Sequence, residues 1–241
     1  MEVFARRLHF ADVDGSSLEH VLGTHQTIGP EQGLFLAETW RMHPEVCGFI
    51  SELFYEGKLA SVDLCNRQRV VSAGAINGVG LRYLPVRHAG NASSSREEAD
   101  AVAALVTNIL NSQPKWVGRD GVVRALSLDD IVVITPYNSQ VREIQKRLPD
   151  AKVGTVDKFQ GQEAPIAIYS MATSSFAEAP RGMEFLYSAN RFNVAMSRAK
   201  CVAILIASPE IFEAECKTPR QMQLANAFCR FLELAQTVEI E

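Results

Sequence analysis

Four short stretches of this 241-residue sequence concentrate side chains that can do chemistry. They are Trp40-Arg41-Met42-His43-Pro44, Pro136-Tyr137-Asn138-Ser139-Gln140, the run from Asp157 to Glu163, and the run from Asn190 to Lys200. Each adjoins an apolar run that reads as a buried strand. LFLAETW (34–40), IVVIT (131–135) and KVGTV (152–156) lead into the first three clusters, and the fourth lies just before CVAILIAS (201–208). A strand does not need Thr-Pro-Tyr-Asn-Ser-Gln at its end for its own stability, whereas a site does. The chemical means are a guanidinium fork that meets anionic oxygens with two donors, a carboxylate that accepts from hydroxyls, and short hydroxyl and amide groups suited to phosphate and sugar contacts.

What is missing is equally informative. No GxxxxGK[ST] loop occurs, and Asp129-Asp130 precede their strand instead of following it as a metal-binding acidic pair would. Without a phosphate-cradling loop and a Mg²⁺ carboxylate, no complete ATPase site is present. Glu56-Gly57-Lys58 matches the end of a PD-(D/E)xK nuclease pattern, but it falls at a helix end with no aspartate-ended strand before it. Five cysteines, an odd number without CxxC spacing, argue against a disulfide scaffold or structural zinc and for reduced thiols and a cytoplasmic protein. No signal peptide and no long apolar run are found, so no membrane association is expected.

The elements that must position these clusters alternate. SSLEHVLG (16–23) reads as a short capped helix, 33–40 as a buried strand, and 44–57 as a helix with Pro44 in its first turn and Gly57 at its end. Residues 58–80 read mostly as loop and 81–86 as a strand. The clearest helix runs from Ser95 to Pro114, with Ser95 and Glu98 as a capping-box pair. Ile131–Ile134 is a continuous β-branched run, the mark of a strand covered on both faces. A helix over 138–149, strands near 151–156 and 163–172, a helix-compatible stretch at 183–200, a strand at 201–208 and a helix at 219–235 complete the pattern. Such alternation predicts a parallel sheet with helices on both faces, with ligands at the carboxyl ends of its strands. A chain of this length with 47% hydrophobic residues suits one α/β domain. Its formal net charge of −4 argues against a surface that coats nucleic acid throughout, though not against a local basic groove.

The segments TWRMHPEVCGFISELFYEGKL, VVITPYNSQVREIQKRL, VGTVDKFQGQEAPIAIYSMA and NRFNVAMSRAK resemble motifs IV to VI of Upf1/Dna2-like superfamily 1 helicases, in order, over residues 34–208. The stretch MATSSFAEAPRGMEFLYSANRFNVAMSRA further resembles bacterial proteins in which such a helicase follows a RecB-like nuclease domain. The resemblance implies a RecA-like (P-loop NTPase-type) fold without its own Walker A loop. It implies one C-terminal motor domain over 1–241, with 1–33 leading in just after motif III and 209–241 a helical end. ATP with Mg²⁺ would be held mainly by an N-terminal motor domain. By the same resemblance, Arg41 and Arg198 reach the γ-phosphate, Glu163 binds the ribose, Trp40 stacks on adenine where the family has Tyr, and Gly161 permits close backbone approach. Thr135, Pro136, Tyr137, Asn138, Gln140, Thr155, Val156, Asp157 and Gln160 would line single-stranded nucleic acid, with DNA favoured over RNA and movement 5′ to 3′. Plainer readings stand beside these: Arg41 and Arg198 as surface arginines, Trp40 as a core aromatic, Thr155 and Asp157 as caps. Asn190 departs from the family's Arg-Arg-x-Asn-Val pattern and removes one positive charge. A non-catalytic nucleic-acid-binding module is the competing class.

Overall fold

The computed structural model describes residues 26–159, 161–213 and 216–240. The helix expected over 16–23 and the side chain of Gln160 lie outside them. In chain order the strands are β1 (Glu38–Thr39), β2 (Ala60–Ser61), β3 (Arg69–Val71), β4 (Gly80–Pro85), β5 (Lys115–Val117), β6 (Val123–Ala125), β7 (Ile131–Ile134), β8 (Lys152–Gly154), β9 (Ala164–Ser170), β10 (Ala199–Ala207) and β11 (Gln236–Thr237). The helices are α1 (Pro44–Phe54), α2 (Arg96–Asn111), α3 (Asn138–Arg147), α4 (Gly182–Leu186), α5 (Ala189–Met196) and α6 (Pro219–Leu234).

Six strands form the central sheet in the order β11-β4-β10-β9-β7-β8, and every neighbouring pair is parallel. Both faces are covered, which explains the apolar runs. Along β7, Val132 and Ile134 enter the core beneath α1, α5 and α6, whereas Ile131 and Val133 enter the core beneath α2 and α3. β9 divides the same way, with Ala167 and Tyr169 on one side and Ile166 and Ile168 on the other. A strand with no polar face calls for apolar or small side chains on both of its sides. The first core is aromatic: Phe192 stacks on Phe228 at 4.1 Å and meets Phe49 and Phe231 edge-on. This is the RecA-like α/β arrangement expected from the sequence.

Local signals explain where the helices begin. Pro44 occupies the first turn of α1, and the His43 side chain caps it by accepting from Glu45 N. Ser95 caps α2, its hydroxyl accepting from Glu98 N at 3.0 Å. The reciprocal half of the expected capping box is absent. Ser95 N donates instead to Gln140 Oε1 at 2.8 Å, and the Glu98 carboxylate turns into the protein. Because the Ser95 side chain is fully buried, Ser95→Ala is expected to cost about 1–2 kcal/mol. Urea unfolding checks this, and an unchanged midpoint would contradict the cap.

One expectation is corrected and another refined. Residues 33–40 are not a buried strand: only Glu38–Thr39 pair, with Ala60–Ser61, and Leu34 and Leu36 are 84% and 74% exposed. This apolar run has no sheet neighbour to cover it. Residues 58–80 hold more than loop: β2, a 3₁₀ turn at Asp63–Arg67 and β3 interrupt the irregular stretch. β3 joins β5 and β6 in a three-stranded antiparallel sheet beside the main one.

Candidate functional site

The polar clusters gather at two opposite ends of the sheet. Glu163 immediately precedes β9, and Arg198 and Lys200 flank the start of β10, so they mark the amino ends of adjacent strands. Arg41, just ahead of α1, joins them. Its Nε donates to Glu163 Oε2 at 2.8 Å and its Nη1 to the Ser197 carbonyl at 3.1 Å. Lys200 Nζ lies 3.0 Å from Glu163 Oε1. Burial works to raise the Glu163 carboxyl, but hydrogen bonds from Lys200 and Arg41 outweigh it and hold the group below the usual carboxylate range. Arg198 is buried. Its Nη1 donates to the Gln162 carbonyl at 3.2 Å, and its Nε is buried without a hydrogen-bond partner. Burial and then the Arg41 charge depress its pKa, with Glu163 opposing them. Three cations thus crowd around one carboxylate, and a donor is left unsatisfied, which suits an added anion.

Arg198 and Lys200 lie just at the start of their strand, as the sequence indicated, whereas Arg41 and Glu163 join them at this end and not at the carboxyl ends of the strands that precede them in sequence. Neither arginine is a plain surface residue, since both are anchored to backbone carbonyls. Trp40 is not a core aromatic: it is 52% exposed. The Arg119 guanidinium sits 5.8 Å from its ring centroid and donates to its carbonyl. Gly161, two residues before Glu163, has φ +83°, a conformation that glycine tolerates best.

The carboxyl end carries the second group. Asn138 and Asp157 are exposed and Thr155 is half-buried, whereas Thr135, Pro136, Tyr137, Gln140 and Val156 are buried. Thr135 Oγ1 is buried without a hydrogen-bond partner, and Thr135 N donates to the Gly154 carbonyl, joining the ends of β7 and β8. Gln140 does not face solvent. It accepts from Ser95 N and donates to Ser170 Oγ at 3.1 Å. The connection from Thr155 to Glu163 leaves the carboxyl end of β8 and returns to the amino end of β9, so it runs the height of the sheet between the two groups.

Beneath the carboxyl end lies a buried polar network that no local pattern announces. Glu98 accepts from Ser170 Oγ at 2.6 Å and Ala172 N at 2.9 Å, and meets His88 Nε2 at 3.0 Å. His88 Nδ1 is 2.7 Å from Ser174 Oγ. Ala172 has φ +67°, a strained value for a side-chain-bearing residue, and the Glu98 bond holds it. A Ser–His–Glu series invites comparison with a nucleophile triad, but His88 and Glu98 side chains are fully enclosed, so no substrate reaches them. Sequence reasoning also passed over Lys200 and Arg119. Lys200 closes the MSRAK run, which was a usable signal, whereas Arg119 is 79 residues from Trp40 in sequence and gave none.

A family model described as an AAA domain matches residues 13–210. RNA helicase Mov10l1 from Mus musculus is 28% identical over 215 residues, covering 80% of this chain and 17% of that protein. The Regulator of nonsense transcripts 1 homolog from Arabidopsis thaliana is 30% identical over 196 residues, covering 73% of this chain and 14% of that protein. The chain thus spans less than a fifth of either relative. Among solved structures, the C-terminal domain of a possible DNA helicase from Lactobacillus plantarum aligns with a TM-score of 0.43 at 12% identity, over 83% of this chain and 99% of that one. The chain belongs to the AAA domain family and is a helicase domain of the Upf1-like superfamily 1 kind.

Proposed function

We propose that this domain completes, in trans, the ATP site of a 5′-to-3′ helicase whose phosphate loop and Mg²⁺ ligands lie in a partner motor domain. The observation that carries this reading is the set of Arg41, Arg198 and Lys200 around Glu163, with the Arg198 Nε unsatisfied. Bound nucleotide supplies a γ-phosphoryl group whose equatorial oxygens gain charge during transfer, and forked guanidiniums stabilise that charge. Arg41 and Arg198 are the fingers. Glu163 takes the ribose hydroxyls, Trp40 stacks on the base, and Gly161 lets the backbone approach. Arg41 and Glu163 pair with each other here, so nucleotide binding exchanges that ion pair for two contacts to the ligand.

At the other end the exposed Asn138 and Asp157 and the half-buried Thr155 offer polar groups to a single strand, with Gln160 on the same connection. Thr135, Pro136, Tyr137, Gln140 and Val156 act from below by holding the loops in shape. Contacts of this type go to sugar and phosphate and carry no base sequence. DNA in preference to RNA rests on the resemblance of residues 171–199 to bacterial nuclease–helicase fusions, although one relative is named an RNA helicase. Fluorescence anisotropy with DNA and RNA oligonucleotides tests the reading. We expect weak binding to both, tighter for DNA and steeply lost between 50 and 200 mM salt, roughly as each phosphate contact releases its counterions. No binding by this chain at low salt would sink the strand-binding half of the proposal.

A further inference from the structure

We propose that Arg181, Phe185 and Arg191 form a phosphate clamp that extends the single-strand path beyond the loop that follows β7. The inference rests on the strand-binding role proposed for the carboxyl end of the sheet. Phe185, on the one-turn helix α4, places its ring 5.3 Å from that of Tyr137. Two guanidiniums lie over the same ring, Arg181 at 4.3 Å and Arg191 at 3.9 Å from its centroid. The aromatic face attracts cations and draws both guanidiniums to one ring before any ligand arrives.

Neither guanidinium pairs with a carboxylate among the described residues, and neither side chain makes a hydrogen bond there. The acid in the preceding 3₁₀ turn, Glu178, is already engaged by Gly90 N and Ser175 Oγ. Two like charges held on one ring, neither paired with a carboxylate among the described residues, call for anionic groups beside them. A phosphodiester fits, because each fork can offer two parallel donors to its oxygens. Nucleotide at the Arg41–Glu163–Arg198 cluster does not reach this place. That cluster sits at the amino end of β9, a seven-residue strand spanning roughly 20 Å, and the clamp sits beyond its carboxyl end. Position 190 is Asn where the family pattern carries Arg, and Arg181 brings a second cation to this surface from a different element.

The test is binding of the intact chain to a fluorescent oligo-dT at several salt concentrations. Arg181→Gln and Arg191→Gln are each expected to lower the slope of log K against log salt by about 0.7, and the pair together to weaken binding at least ~10-fold. Arg181 is exposed, so its replacement leaves the fold intact and keeps the test readable even if Arg191→Gln lowers the Tm. Arg181→Lys keeps the charge and is expected to keep the slope while losing affinity. Arg230→Ala, at a residue paired with Glu52 and Glu233, is expected to change neither. Wild-type affinity and slope in Arg181→Gln overturn the clamp while the strand reading stands. A wild-type chain that binds no oligonucleotide at low salt overturns the strand reading itself. Unchanged oligonucleotide binding with lost binding to a polyglutamate peptide assigns the surface to a protein partner and also overturns the clamp.

Discussion

Replacing Arg198 with alanine, in the protein joined to its phosphate-cradling domain, is expected to lower ATP turnover about 10³- to 10⁵-fold while nucleotide affinity stays within a few-fold. The size follows from where the group acts. A finger contributes mainly when charge builds on the transferring phosphoryl, so its removal raises the barrier by about 4–7 kcal/mol with little effect on the bound ground state. The structure supplies the required order. Arg198 stands between the end of α5 and the start of β10, its carbonyl accepts from Ala164 N, and one arm of its fork is fixed on the Gln162 carbonyl. The free Nε shows the direction in which an acceptor is still needed. Arg198→Lys keeps the charge but loses the fork, and is expected to recover only part of the rate. Steady-state turnover beside titration with a fluorescent ATP analogue separates rate from affinity, and near-wild-type turnover in Arg198→Ala would remove the finger from the account.

Glu98→Ala is the second large effect and concerns the scaffold. The Glu98 carboxylate is completely enclosed and serves His88, Ser170 and Ala172 N together. Deleting it strands three buried partners and releases the strained turn at Ala172. Breaking a buried pair by removing one member costs about 3–5 kcal/mol. In a domain of this size that corresponds to a fall of roughly 6–20 °C in Tm. Glu98→Gln keeps the shape and most hydrogen bonds, and is expected to lose much less. The network reaches Gln140 through Ser170, so the loop after β7 should loosen with it. Calorimetry gives the stability, and faster amide exchange at Tyr137–Gln140 would report the loop. An alanine variant as stable as the parent would show that the network contributes nothing.

The parts legible in the sequence were those with a local physical cause. Ile131–Ile134 announced a strand buried on both faces because nothing polar is tolerated there. Ser95 announced the start of α2 because an N-terminal amide needs an acceptor. Leu34 and Leu36 misled for the converse reason, since hydrophobicity marks a strand only when a neighbour exists to cover it. The β3-β5-β6 sheet escaped notice because its strands are three residues long and largely exposed, too short for a period to register. Gln140 looked like a surface amide. Only a partner 45 residues away in sequence shows that it is a cross-link. The two arginines were picked out by their motifs, but the meeting of Arg41 and Lys200 on Glu163 depends on tertiary packing, which no residue spacing encodes.

Turnover of Mg-ATP by this chain alone, at saturating nucleotide and single-stranded oligonucleotide, tests the central claim most directly. The account predicts hydrolysis indistinguishable from a protein-free control, rising to single-strand-stimulated turnover only when the phosphate-cradling domain is supplied. Robust turnover by residues 1–241 on their own would contradict it.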